Sequence, residues 1–74
     1  MGKPPVLKPH EVAAILKKLG FVQARQRGPH RQYCRPDVRS ATIPFHRGRD
    51  ISPILLRQIA KDVGLSLEQL LEHR

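Results

Sequence analysis

His30 and His46 are the two residues in this 74-residue chain best suited to move protons, and arginines surround both. Residues 25 to 49 hold Arg25, Arg27, Arg31, Arg35, Arg39, Arg47 and Arg49 against a single acid, Asp37. Imidazole gains and loses protons near neutrality, so it serves as a general base or a general acid. Guanidinium offers a planar fork of donors that fits phosphate oxygens. Cleavage of RNA needs few parts: a base for the 2′-hydroxyl, an acid for the leaving oxygen, and positive charge for the phosphorane. The stretch contains all three types, and the same residues also suffice for binding phosphate without cutting it.

The whole composition points to the same partner. Fourteen Lys and Arg face six Asp and Glu, a formal net charge of +8. A domain this basic attracts polyanions, nucleic acid above all. Only 39% of residues are hydrophobic and the aromatics are Phe21, Tyr33 and Phe45. A chain of this length hides roughly 60% of its unfolded surface. The expectation is one thin aliphatic core, chemistry on an open surface and no enclosed cofactor site.

Cys34 is the only cysteine, which excludes an internal disulfide and suits a reducing compartment. Together with His30 and His46 it offers three soft metal ligands, one fewer than a closed zinc site takes. No metal site is expected. The longest apolar run, Val12 to Leu16, is far too short to span a membrane. Prolines stand where a secretory signal would be apolar, and the reading is a cytoplasmic protein without a membrane partner.

The elements that must position these residues follow from periodicity. Residues 1 to 7, with Pro4 and Pro5, read as an extended arm to a single domain over 1–74. Val12, Ile15, Leu16 and Leu19 fall on one helical face, Pro9 suits the first turn and Gly20 the stop, which predicts a helix over 9–19. Three strands follow: Phe21 to Arg27, His30 to Arg35, and Ala41 to Phe45 with Pro44 at its end or edge. Gly28-Pro29 and Pro36-Asp37 are the turns between them. Ser52-Pro53 opens a second helix with the stripe Leu55, Leu56, Ile59, Ala60 and Val63, stopped by Gly64. Ser66 with Gln69 forms a capping box for a last short helix. The expected fold is α+β in the order α-β-β-β-α-α, a three-stranded antiparallel sheet with its helices on one face.

Strict alternation along the strands turns Val22, Ala24, Tyr33, Ile43 and Phe45 toward the helices. Arg25, Arg27, His30, Gln32, Cys34, Thr42 and His46 then share the open face. His10 and His73 read as ordinary surface histidines.

The arrangement resembles a known family. The segments Arg25-Gln26-Arg27-Gly28-Pro29-His30, Ile43-Pro44-Phe45-His46 and Asp50-Ile51-Ser52-Pro53, with a helix ending in Val63-Gly64-Leu65, are similar in order and spacing to the HicA toxins. The resemblance covers about residues 9 to 71. It implies a fold similar to the double-stranded-RNA-binding domain. It also implies a ribonuclease toxin acting on mRNA, metal-independent, with a HicB-type antitoxin as partner. The family's catalytic histidine maps onto His30. His46 is then a second proton carrier or a substrate contact, and Arg25, Arg27, Arg31, Arg47, Arg49 and Ser52 are RNA-binding candidates. One departure stands out: the family usually has Gly-Ser-His, and here Pro29 replaces the serine, removing a hydroxyl and a backbone N–H. A non-catalytic RNA-binding domain of the same fold and a module that meets an acidic protein are the alternatives. Cleavage of RNA separates the first from the leading reading, and indifference to RNA at low salt would favour the second.

Overall fold

The computed structural model describes residues 6–36 and 39–74. Its elements run α1 (Pro9–Lys18), β1 (Val22–Arg27), β2 (His30–Cys34), β3 (Ser40–Pro44), α2 (Pro53–Asp62) and α3 (Leu67–Leu71). The strands form one antiparallel sheet in the order β1-β2-β3. The α-β-β-β-α-α order and the α+β class are as the periodicity predicts.

Local chemistry sets the helix limits. In α1 the Glu11 carboxylate accepts from the Lys8 N–H at 2.8 Å, satisfying a donor just ahead of the helix. At its far end the Phe21 N–H reaches the Leu16 carbonyl and the Gly20 N–H reaches that of Lys17. This is a Schellman closure, and it needs the positive φ of +92° that Gly20 supplies. The end of α2 repeats it, with Leu65 N–H to Ala60 and Gly64 N–H to Lys61. Ser52 caps α2 by accepting from the Leu55 N–H, and Ser66 and Gln69 make the expected reciprocal box on α3.

One apolar cluster joins the layers. Val12, Ile15 and Leu16 of α1 pack with Tyr33, Ala41 and Ile43 of the sheet and with Leu56, Ile59 and Leu70 from α2 and α3. Burying each such aliphatic side chain contributes about 1.5–3 kcal/mol. The N-terminal arm is not wholly free: Leu7 is buried in this core and its carbonyl accepts from the Ile51 N–H at 2.7 Å. Residues 1–5 of that arm, and Asp37 of the expected Pro36-Asp37 turn, lie outside the described residues.

Strand β1 departs from strict alternation. Gln23 pairs with Tyr33 but Arg25 pairs with Gln32, which leaves Ala24 as an extra residue, a β-bulge. One extra residue sends everything before it to the opposite face. Val22 therefore pairs with Cys34 on the open side and is 64% exposed, and Ala24 is exposed too. Neither faces the helices, contrary to the alternation reading. Past the bulge the phase is as expected, so Arg25 and Arg27 stand on the open face.

Two arginines of the basic middle segment serve the fold. The Arg35 guanidinium donates to the Leu19 carbonyl at the end of α1 (3.1 Å) and lies 4.9 Å from the centroid of the Phe21 ring. Arg39 lies against Gly64 at the end of α2, where an added Cβ would come within 2.5 Å of its guanidinium. Gly64 also holds φ at +82°. Gly64→Ala should therefore destabilise the protein by about 1–2 kcal/mol. Thermal denaturation followed by circular dichroism should show a melting temperature lower by roughly 5–10 °C. An unchanged melting temperature would contradict the closure described for α2.

Candidate nucleic-acid interface and proton-transfer site

The β1–β2 hairpin sets the first half of the site. Arg27 pairs with His30 across a two-residue loop, Gly28-Pro29, with Gly28 at φ +58°. A left-handed first residue is what a tight hairpin of this kind requires, and glycine adopts it without strain. Arg25, Arg27, His30, Gln32 and Thr42 then line a shallow depression of about 220 Å³ on the open face of the sheet. All six residues of β1 are exposed, so Arg25 and Arg27 meet solvent directly.

The end of β3 sets the second half. Pro44 closes the strand opposite His30, and the next residue, Phe45, donates its N–H to the Pro29 carbonyl at 2.6 Å. Pro29 thus keeps a structural use despite lacking its own N–H. Extending the pairing by one bond holds His46 beside the hairpin. The His30 and His46 rings meet edge to face, with centroids 5.7 Å apart and an interplanar angle of 89°. Both side chains are exposed. The chain then turns at His46–Arg49, where the Arg49 N–H donates to the His46 carbonyl at 3.1 Å and Gly48 takes φ +73°.

That turn opens a second and larger groove, of about 440 Å³. Lys8, His10, Phe45, His46, Arg47 and Arg49 line it, with Asp50 as the one acid among them. The Leu7–Ile51 bridge brings its two sides together. The histidine pair therefore stands between two cationic surfaces, Arg25 and Arg27 on one side and Arg47, Arg49 and Lys8 on the other.

The remaining candidates lie elsewhere. Arg31 pairs with Ile43 on the helix side of the sheet, not on the face of His30. Its guanidinium stacks 3.9 Å over the Phe45 ring, and its Nε is buried with no hydrogen-bond partner. Ser52 spends its hydroxyl oxygen on capping α2. Cys34 is a half-buried free thiol. Among the described residues no three His, Cys, Asp or Glu side chains gather as metal ligands, and no helix is long and apolar enough to cross a membrane.

Comparison with known families decides the assignment. The model of the HicA toxin of bacterial toxin–antitoxin systems matches residues 9–65. The chain belongs to the HicA toxin family. The matched HicA segment contains both histidines, the four arginines beside them and the helix that closes on Gly64. Membership also implies an antitoxin partner. Among curated proteins, none matches the chain.

As site residues Lys8 and His10 carry no signal in the sequence, and Phe45 reads there as a core-facing strand residue next to His46. Lys8 and His10 reach the site only through the Leu7–Ile51 bridge, a pairing of segments more than forty residues apart.

Proposed function

We propose that this HicA toxin is a metal-independent endoribonuclease that cleaves mRNA by attack of a 2′-hydroxyl on the adjacent phosphate. One imidazole of the His30–His46 pair removes the proton from the 2′-oxygen. The other protonates the departing 5′-oxygen, so the proton count balances across the step. His30, beside Arg27, is the catalytic histidine carried over from the family, and His46 is its partner. Arg25 and Arg27 hold phosphates on one side of the scissile bond; Arg47 and Arg49 hold them on the other. The open end of α2 at Ser52 offers a further phosphate contact. A HicB-type antitoxin with acidic residues on its contact surface would cover this basic face in the cytoplasm.

The observation that carries the reading is the 5.7 Å edge-to-face contact between two exposed imidazoles set between cationic surfaces. Hydrogen bonds for proton transfer span about 2.6–3.2 Å, so rings this close can both reach oxygens of one phosphodiester. General acid–base catalysis of this kind contributes about 10²–10⁴-fold.

The test is cleavage of a long RNA by the purified chain. Excess chelator should leave the rate unchanged. Raising salt from about 50 to 200 mM should weaken substrate binding by about tenfold or more, as displacement of counterions from three or more phosphates requires. Loss of activity with chelator, or binding indifferent to salt, would overturn the proposal.

A further inference from the structure

We infer that the groove beyond His46 is a nucleotide subsite that takes one unpaired base stacked on Phe45, so that this chain acts on RNA that is single-stranded next to the scissile phosphate. The inference rests on the RNA-cleaving reading of the histidine pair and adds the substrate class.

The two depressions beside the histidines differ in chemistry. The one over the sheet, with Arg25, Arg27, His30, Gln32 and Thr42, has no ring besides the imidazole assigned to proton transfer and suits phosphate and 2′-hydroxyl oxygens. The other is about twice as large and contains the Phe45 ring. Of the three aromatics, Phe21 and Tyr33 are each 1% exposed, and Phe45 alone reaches the surface. A volume of about 440 Å³ lies within the range of small-molecule pockets, roughly 300–1,000 Å³. One face of the ring is covered by Arg31, which stacks on it at 3.9 Å and does not line the groove. Arg31, whose charge first marked it as a phosphate ligand, thus positions the platform.

An aromatic ring flanked by Lys8, Arg47 and Arg49 is the arrangement by which single strands are held, bases on the ring and backbone on the cations. Duplex bases cannot use it. In an A-form helix their faces are stacked on one another, and only groove edges and the backbone are offered to a protein. The carboxylate of Asp50 and the ring of His10 add polar groups to the lining, able to meet a base edge.

The test uses the full chain and a 2′-O-methyl RNA 12-mer of mixed sequence, which lacks the free 2′-hydroxyl and stays intact. Affinity is measured by fluorescence anisotropy for the single strand and for the same strand annealed to its complement. Wild type should favour the single strand. Phe45→Leu should weaken single-strand binding by about tenfold while changing duplex binding less than twofold and leaving the salt dependence as it was. Phe45→Tyr, which keeps the ring, should bind as wild type does. Leucine retains the apolar packing against the core, and circular dichroism of both variants checks the fold. Should Phe45→Leu misfold, Lys8→Ala at the exposed groove wall supplies the second arm. It should weaken the single strand more than the duplex and lower the salt dependence.

Equal weakening of single strand and duplex, a preference for duplex in the wild type, or no effect of Phe45→Leu would overturn the inference. Because the readout is binding, it is independent of cleavage. A folded His30→Ala protein that still cuts RNA would remove the catalytic reading and leave the stacking result standing, and the reverse holds as well.

Discussion

Replacing His30 by alanine should slow RNA cleavage by about a hundredfold or more and abolish growth inhibition, with the fold intact. The side chain is exposed at the first position of β2, and its contact to His46 is made outside the core. Surface substitutions of this kind usually change stability by no more than about 0.5 kcal/mol. The hairpin is held by the backbone pairing of Arg27 with His30 and by Gly28, which the mutation leaves alone. Loss of rate therefore reports chemistry. Circular dichroism and a melting curve accompany the assay, since an unfolded protein is equally inactive. A folded His30→Ala protein cutting at the wild-type rate would end the assignment and leave an RNA-binding domain.

His46→Ala should be nearly as damaging, and in the same parameter. If the two imidazoles handle the two protons of one step, removing either lowers kcat by about a hundredfold, and more substrate does not restore it. The double variant should then be little worse than either single one, because residues acting as a unit give strongly non-additive losses. A defect confined to KM would reassign His46 to substrate contact. Arg25→Ala is the control for that outcome: a phosphate-holding arginine should raise KM and lower the salt dependence while leaving proton transfer in place.

Much of this architecture is legible in the sequence. Helix limits could be read from Pro9, Gly20, Ser52, Pro53 and Gly64 because each acts through its own backbone geometry within one turn of chain. The His30–Arg27 side of the site was legible for the same reason, lying across a two-residue loop. The bulge at Ala24 was not. Nothing in Val22-Gln23-Ala24-Arg25 distinguishes a strand with one extra residue from a regular one, so alternation alone sets Val22 on the helix side while the bulge turns it to the open face. Arg31 is a different case: its charge suggests phosphate, but the strand phase sets it opposite Ile43, where Phe45 offers its guanidinium an aromatic face. The clustering of arginines likewise overstated the electrostatic face, since Arg35 and Arg39 lie at the ends of α1 and α2. The larger groove could not be read at all. It exists because a backbone bond between Leu7 and Ile51 places Lys8 and His10 beside Arg49, and single-sequence patterns carry no record of such a contact.

The chemistry of the cut ends tests the central claim most directly. Attack by the neighbouring 2′-hydroxyl, driven by one imidazole and completed by the other, leaves a 2′,3′-cyclic phosphate on the upstream fragment and a 5′-hydroxyl on the downstream one. Mass spectrometry of the products of a defined RNA should show these ends, and a single 2′-deoxy substitution at the cleaved nucleotide should block the cut. Fragments ending in 3′-hydroxyl and 5′-phosphate, or undiminished cleavage at the deoxy position, would mean that water is the nucleophile and that the His30–His46 pair does not do what its geometry suggests.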